Sequence, residues 1–110
     1  MNKPEQSNAP SSKTASHVAT LQVDLVSASE QLERVASEYE AMLSDDGAIQ
    51  EDRDTTGQLL AEARATVARL ESALARAEAG SYGQCERCGS TIPEERLAVL
   101  PDASTCVSCA

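Results

Sequence analysis

The stretch CERCGSTIPEERLAVLPDASTCVSC, residues 85–109, contains all four cysteines of this 110-residue chain. They form two C-x2-C pairs, Cys85 with Cys88 and Cys106 with Cys109, with seventeen residues between the pairs. Two residues between paired cysteines allow one tight turn to present both thiolates to the same ion, and two such turns complete a tetrahedron around Zn²⁺. The spacing therefore predicts one zinc ion with these four cysteines as its ligands.

Paired cysteines also occur in redox proteins, so the two interpretations have to be compared. A redox pair of the thioredoxin type needs a strand–helix context and a lowered thiol pKa, whereas both pairs here lie among predicted turns. Gly89, directly after the first pair, permits the positive φ that such turns often require. Four thiolates fill the coordination shell and leave no position for an activated water, so we expect a structural zinc ion, not a catalytic one.

The composition narrows the class of protein. The formal net charge is −9, and the aromatic residues are two tyrosines, with no Trp and no Phe. A strongly acidic chain repels phosphate backbones, so we expect no direct binding to DNA. No apolar run reaches the roughly 18 residues of a membrane span, and the first residues lack the apolar core of a secretory signal. We therefore expect a cytoplasmic protein that does not enter a membrane.

Two heptad stripes of apolar residues precede the cysteine module. Apolar side chains recur at alternating spacings of three and four, which is typical of a coiled coil. Neither helix can bury its stripe alone, so the sequence predicts a mainly α fold in which an antiparallel coiled-coil helical hairpin is followed by a small four-cysteine zinc-finger module. We expect a monomer; pairing between chains into a dimer is the alternative that buries the same stripes. The stripes consist of Val18, Leu21, Leu25, Ala28, Leu32, Val35, Tyr39 and Met42, and of Leu60, Ala63, Val67, Leu70, Leu74 and Ala77.

Composition also predicts the boundaries between segments. Residues 1–15 are rich in Ser, Asn and Pro and are expected to form a disordered tail. Residues 16–79 are expected to form the hairpin, with an acidic tip near 44–57 between the two stripes. Residues 80–110 form the predicted C4 zinc finger, because Gly80 is placed to end the second helix as a C-cap residue.

The position of the turn within the acidic tip has two solutions. If the turn lies at Asp45 to Ala48, the second helix begins near Ile49, and each helix has about 30 residues and a length of roughly 45 Å. If the whole tip is a loop, the second helix begins near Gln58. We favour the first solution because acidic residues suit the first turn of a helix. In both, Asp45 and Asp46 lie at the end of the hairpin, and they are our candidate functional residues there.

The sequence contains no constellation of residues typical of an enzyme. His17 is the single histidine, and it lies next to the predicted tail with no nucleophile beside it. We expect its ring to be exposed to solvent, and we predict that the protein has no catalytic residues.

The stretch GSYGQCERCGSTIPEERLAVLPDASTCVSC, residues 80–109, closely resembles the C4-type zinc finger of the DksA/TraR family of bacterial transcription regulators. The preceding helical hairpin fits the layout of that family. The resemblance implies that the chain binds RNA polymerase and inserts its hairpin into the secondary channel, where the acidic tip approaches the catalytic centre and modulates initiation. It also implies that the zinc module anchors the base of the hairpin. The matching residues are Gly80, Tyr82, Gly83, Cys85, Cys88, Gly89, Ile92, Arg96, Leu97, Pro101, Cys106 and Cys109.

The tip departs from the pattern of the family. Well-studied members carry D-x-x-D-x-A there, and counting back from Cys85 without gaps places Met42 at the first aspartate, Asp45 at the second and Gly47 at the alanine. Only Asp45 is kept, with Asp46 beside it. This departure favours an alternative function, that of a non-catalytic coiled-coil and zinc-knuckle adaptor, monomeric or dimeric, that binds another protein.

Overall fold

The computed structural model describes residues 12–110. Two long helices come first, α1 at Ser12–Leu43 and α2 at Gln50–Ala79. A short helix α3 at Glu94–Val99 and a 3-10 turn at Val107–Cys109 follow in the zinc-finger region. The described residues contain no β-strand, so the mainly α fold predicted from the sequence is confirmed. None of the helices within this range is long and apolar enough to cross a membrane.

Helices α1 and α2 pack against each other as an antiparallel hairpin, and their contact surface is the one that the heptad stripes predict. Every stripe residue of both helices is buried or half-buried. The best-packed region lies near the zinc finger, where Leu21 and Ala73 are fully buried and Leu70 is almost so. Four half-buried side chains close around this cluster; they are Leu25, Ala28, Leu74 and Tyr82.

The other end of the hairpin is packed with smaller and more polar residues. Thr56 is buried there although no heptad stripe includes it. Gly57 faces the ring of Tyr39, and a Cβ atom at this glycine would lie 3.3 Å from Tyr39 Cε1. Gly57 costs about 1 kcal/mol in helix propensity, but it leaves the space that the tyrosine ring occupies. The contact surface between α1 and α2 therefore continues past Leu60 toward the tip without further buried apolar side chains.

The first helix begins earlier than the sequence predicted. We expected a disordered tail over residues 1–15, whereas α1 starts at Ser12. Residues 12–15 have polar and small side chains that a helix tolerates once the turns after them are packed, because tertiary contacts outweigh weak local propensity. The remainder of that prediction, residues 1–11, lies outside the described residues.

The turn between the helices follows the first of the two solutions. The Ala48 N–H donates to the Asp45 carbonyl over 3.1 Å, which closes a turn at residues 45–48. Ile49 is the N-cap residue of α2, and Glu51 and Asp52 lie in its first turn, where they suit the helix dipole. Both helices therefore extend to the acidic tip.

The second helix ends at Gly80, as predicted. This glycine has φ 81°, a left-handed conformation that is unfavourable for residues with a side chain. The Ser81 N–H then donates to the Arg76 carbonyl over 2.9 Å, so the last turn is closed in the manner of a Schellman motif. This sharp stop directs the chain from the hairpin into the zinc finger.

We expect Leu21→Ala to lower the free energy of unfolding of the hairpin by about 2–5 kcal/mol, because it leaves a cavity in the only fully buried leucine site of the described chain. Urea titration followed by circular dichroism at 222 nm, at constant zinc, measures the loss. Leu59→Ala is the matched control, since Leu59 is 49% exposed on α2. Equal effects of the two substitutions would contradict the assigned core.

Candidate metal centre and hairpin tip

The first cysteine pair lies in a tight turn between Gln84 and Thr91, two residues that are joined by a short antiparallel bridge. The Cys85 N–H donates to the Ser90 carbonyl over 2.8 Å, and the Gly89 N–H donates to the Cys85 carbonyl over 2.9 Å. Gly89 has φ 78°, so the positive φ expected at this position is present. The turn presents the thiols of both cysteines of the pair to the same side.

The second pair lies on the last turn of the chain, and the fold brings it against the first. The Cys109 N–H donates to the Cys106 carbonyl over 3.1 Å, which forms the second knuckle. Two contacts hold the approaching segment in place: the Glu86 N–H donates to the Ser104 carbonyl over 2.8 Å, and Arg96 Nε donates to the Thr105 carbonyl over 3.1 Å. All four Sγ atoms consequently lie within 4.8 Å of one another.

The spacing of the sulfur atoms fits a tetrahedral zinc ion. Cys88 Sγ and Cys106 Sγ are 3.7 Å apart, and a tetrahedron with Zn–S bonds of about 2.3 Å has edges of about 3.8 Å. A disulfide would require about 2.05 Å, and all four cysteines are free thiols. Four sulfur ligands around one centre are typical of structural zinc sites. The residues present therefore fit one structural Zn²⁺.

The pKa values of these thiols show how the site favours a cation. Backbone hydrogen bonds from Cys106 and Cys88 lower the pKa of Cys85 to about 6. Hydrogen bonding with the neighbouring thiols, first of all Cys106, raises the pKa of Cys109 to about 12. The backbone thus stabilises one thiolate while crowding opposes the last. A divalent cation relieves this conflict, because it bonds to all four sulfurs and cancels two of their four negative charges.

The ligands are also the core of the module. Cys85, Ile92 and Leu97 are buried together, and no Phe or Trp is available to enlarge this cluster. The partly buried residues packed on it include two further ligands; the full set is Tyr82, Ala103, Cys106 and Cys109. So small an apolar cluster cannot offset the entropy of ordering about thirty residues. Zinc binding, typically about 10–16 kcal/mol in small structural sites, is the term that can.

Residues 80–110 match the family model of the prokaryotic dksA/traR C4-type zinc finger. The structure of transcription factor DksA2 from Pseudomonas aeruginosa has the same fold, with a TM-score of 0.78 and 22% sequence identity, and the match covers 96% of this chain and 90% of that chain. The finger of this chain is therefore of the DksA/TraR C4 type, and the chain as a whole shares the fold of DksA2. The prediction of one structural zinc ion is confirmed by the family of the finger and by the arrangement of its thiols.

A relative from another organism matches a shorter part of the sequence. It is an uncharacterized protein of Aquifex aeolicus (strain VF5), 48% identical over 46 residues, and the match covers 42% of this chain and 32% of the relative. The chain thus spans about a third of the length of this curated relative. Beyond sequence identity over that segment, the relative gives no information about activity.

The DksA/TraR finger is docked on the base of the hairpin through polar contacts of α2. Arg76 donates from Nη2 to the carbonyls of Asp102 and Ala103, both at 3.4 Å. Arg69 Nε lies 3.3 Å from Asp102 Oδ2 in an ion pair. Two cations of one helix therefore hold the loop that leads to the second cysteine pair.

Tyr82 joins the two apolar clusters, since its ring packs on both the hairpin core and the finger core. Its hydroxyl donates to the Pro101 carbonyl over 2.7 Å. Burial, followed by the nearby charge of Glu94, raises the pKa of Tyr82 to about 12. The phenol consequently stays protonated and keeps this hydrogen bond well above neutral pH.

His17 is placed differently from our expectation. We predicted a solvent-exposed ring, but the His17 side chain is only 13% exposed, and its Nε2 lies 2.7 Å from Glu94 Oε2. The ring also packs near Tyr82, with 6.1 Å between the ring centroids. The first turns of α1 are thereby attached to α3. The two partners are 77 residues apart in sequence, and no local pattern signals such a contact.

Asp45 and Asp46, the candidate residues of the tip, lie far from the zinc site and are both exposed. Asp45 Oδ1 accepts a hydrogen bond from the Gly47 N–H over 2.8 Å, so this side chain helps to form the turn. The structure gives Asp46 no comparable contact within the described residues. The two aspartates therefore differ in environment, although they are adjacent in the sequence and both were predicted to be functional residues of the tip.

Arg53 is a tip residue whose role the sequence analysis missed. Its Nη2 donates to the Asp45 carbonyl over 3.0 Å and its Nε to the Met42 carbonyl at 3.5 Å. It thus satisfies carbonyl groups at the C-terminus of α1 with a positive charge, an arrangement worth about 0.3–1 kcal/mol. The available signal was that Arg53 is the only cation among the acidic residues 44–57.

We expect Cys106→Ser to reduce the zinc content from one ion per chain to near zero, because the three remaining thiolates leave the coordination shell of the zinc ion incomplete. Most of the ellipticity at 222 nm should persist, since α1 and α2 contain 32 and 30 residues outside the finger. Metal analysis and circular dichroism of the purified variant measure both. Ser108→Ala, an exposed change between two ligands, is the control. Stoichiometric zinc in the Cys106 variant would contradict the assigned ligand set.

Proposed function

We propose that this protein is a non-catalytic transcription regulator of the bacterial cytoplasm that binds RNA polymerase and inserts its hairpin into the secondary channel. The observation that carries the proposal is the fold similarity to transcription factor DksA2, which extends over 96% of this chain and so includes hairpin and finger together. The finger of the same family supports it independently of the hairpin. In this proposal the finger anchors the hairpin at the channel entrance and the tip modulates initiation.

The dimensions of the hairpin support the proposal. The molecule measures 69 × 28 × 19 Å, and α2 with its 30 residues is about 45 Å long. Two helices of about 10–12 Å diameter side by side form a long and narrow projection, as insertion into a channel requires. Since α1 ends at Leu43 and α2 begins at Gln50, the tip lies at the end of the hairpin that is farthest from the finger.

The distribution of charge also supports insertion of the tip first. Residues 30–62, the tip-ward half of the hairpin, carry ten carboxylates and two arginines. The remainder of the hairpin, residues 12–29 and 63–79, carries three carboxylates against four Lys or Arg residues. Neither Arg34 nor Arg53 forms an ion pair in the described chain, so the acidic half is not neutralised internally. Such a field orients the molecule toward a positively charged partner surface during encounter.

Binding to core RNA polymerase tests the proposal. We expect the zinc-loaded protein, labelled at its N-terminal amine, to bind bacterial core polymerase saturably in fluorescence anisotropy. A known secondary-channel protein should displace it, whereas a polymerase ligand that binds outside the channel should not. Absence of binding at micromolar polymerase would instead favour the alternative of an adaptor for another protein, for which the altered tip motif is the supporting observation.

The tip carboxylates are proposed to act after binding and not to provide the affinity. The double substitution Asp45→Asn with Asp46→Asn removes both charges but keeps an oxygen that can accept from the Gly47 N–H, so the turn is preserved. We expect the affinity for polymerase to change by about twofold or less and the effect on transcription in vitro to be lost, since two exposed charges contribute little to an equilibrium contact.

A matched variant separates charge at the tip from total charge. Glu71→Gln with Glu78→Gln removes the same charge at the base of the hairpin, and we expect it to leave transcription effects intact. Parallel loss of binding and effect in the tip variant would show that the tip is part of the binding surface. Full activity of that variant would show that the two aspartates are not the acting groups.

A further inference from the structure

The turn at the end of the hairpin contains a dipeptide that can rearrange without an enzyme. Asp46 is followed by Gly47, and nowhere else in the chain does an aspartate or asparagine precede a glycine. A peptide nitrogen that follows an aspartate can attack the carbonyl carbon of that side chain and form a five-membered succinimide ring. Glycine favours the attack, because it has no Cβ atom to shield the nitrogen and it leaves the backbone free to rotate.

The surroundings of Asp46 leave this reaction open. Asp46 and Gly47 are both exposed, and they lie in the turn between α1 and α2, outside the hydrogen bonds of the two helices. The Asp46 carboxylate forms no ion pair or hydrogen bond within residues 12–110. Its Cγ atom can therefore approach the Gly47 nitrogen without the loss of an existing contact.

Asp52 shows by contrast what protects an aspartate from the same reaction. It lies in the first turn of α2 and is followed by Arg53. The Arg53 N–H donates to the Ile49 carbonyl over 3.2 Å, so the nitrogen that would attack is held by the helix. The side chain of Arg53 also crowds that nitrogen, whereas glycine offers no such obstruction. Asp46 has neither form of protection.

Asp45 restrains the nitrogen that would attack Asp46. The Gly47 N–H donates to Asp45 Oδ1 over 2.8 Å, which forms an Asx turn. This bond fixes the plane of the peptide between Asp46 and Gly47, and that plane has to rotate before the nitrogen can face Asp46 Cγ. A hydrogen bond to a charged acceptor is stronger than one between neutral groups. Removal of the acceptor therefore releases the nitrogen for attack.

We propose that Asp46 is a site of spontaneous isomerisation to isoaspartate and that Asp45 slows the reaction by holding the Gly47 amide. In the first step the Gly47 nitrogen bonds to Asp46 Cγ, the amide loses its proton, and the protonated carboxyl loses its hydroxyl, so that one water is released. In the second step water opens the ring. Opening at the α-carbonyl of Asp46 gives isoaspartate, and opening at Cγ restores aspartate. No oxidant or reductant takes part.

The product keeps the charge of residue 46 but changes the backbone of the turn. The main chain gains one methylene group, because it now runs through Cγ, and the former α-carbonyl becomes the free carboxylate. The Asx turn and the bond from the Ala48 N–H to the Asp45 carbonyl, 3.1 Å long, then lose their register. The effect on transcription rests on the proposed function: the isomerised tip loses its action on initiation while the hairpin and the finger stay folded.

Incubation of the zinc-loaded chain in water enriched in ¹⁸O tests the site, because ring opening inserts one oxygen from the solvent. The chain is then digested with trypsin in ordinary water, and cleavage after Arg34 and Arg53 releases residues 35–53. We expect a labelled fraction of this peptide that grows with time and includes a chromatographically separate isomer. Electron-transfer fragmentation should place the label at residue 46 and none at Asp52, the internal control.

Two substitutions of Asp45 form a matched pair. Both remove its charge, but Asp45→Asn keeps an oxygen that can accept from the Gly47 N–H, and Asp45→Ala does not. We expect residue 46 to be labelled about fivefold faster in the Asp45→Ala chain, the factor that corresponds to the loss of one hydrogen bond. The rate in the Asp45→Asn chain should lie nearer to that of the unmodified chain.

Substitutions of Asp46 itself set the limits of the measurement. Asp46→Asn is the positive control, because the same ring forms with ammonia as the leaving group. Asp46→Glu is the negative control, since its longer side chain would need a six-membered ring. Incubation continues until the Asp46→Asn chain has reacted completely. For the same reason, the tip variant that includes Asp46→Asn is measured in transcription directly after purification.

The outcomes separate this inference from the proposed function. Labelling at residue 46 that is faster in Asp45→Ala than in Asp45→Asn supports the proposal. An unlabelled Asp46 after complete reaction of the positive control, or equal labelling of Asp52, overturns the site. Equal rates in the two Asp45 variants overturn the role of Asp45. All these readouts use the chain alone, so a failure to bind polymerase would refute the proposed function and leave the isomerisation site standing.

Discussion

Sharing of one zinc ion by four thiolates is the constraint on which the finger and its position depend. The buried cluster of Cys85, Ile92 and Leu97 is too small to order residues 80–110 by itself, and two of the packed side chains around it are again ligands. Zinc ties the turn at residues 85–88 to the last turn of the chain. The segment between them, which includes α3, is thereby held where the Asp102 and Ala103 carbonyls accept from Arg76 and the Asp102 carboxylate pairs with Arg69.

The finger in turn determines the geometry of the base of the hairpin. Tyr82 belongs to both apolar clusters, and His17 connects the first turns of α1 to Glu94. Contacts from both helices therefore converge on one small module. Loss of the metal is expected to release these contacts together, because the residues that make them are positioned by the same two knuckles and not by a separate core.

Much of this architecture could be predicted from the sequence, and the reasons are physical. Heptad spacing shows which residues share a helix face. The residues that α1 and α2 bury against each other, Leu21 and Leu60 among them, could therefore be predicted from local pattern alone. The C-x2-C pairs predicted one zinc ion because two residues between cysteines let one turn present both thiolates to the same ion. The His17–Glu94 contact joins residues 77 positions apart, and periodicity carries no information about it. Arg53 was equally hidden, since its role depends on the turn that brings it to the end of α1.

Stability and charge are separated along the hairpin, and this separation bears on how the tip can act. The fully buried residues Leu21 and Ala73 lie near the finger, while the tip-ward seam has only Leu60 and Thr56 as buried side chains. Ten carboxylates in that same half repel one another, and they would weaken a hairpin that had no other support. The tip instead relies on local hydrogen bonds, from Arg53 to the end of α1 and from Gly47 to Asp45. A well-packed base can thus carry a charged end whose carboxylates form no ion pair within residues 12–110.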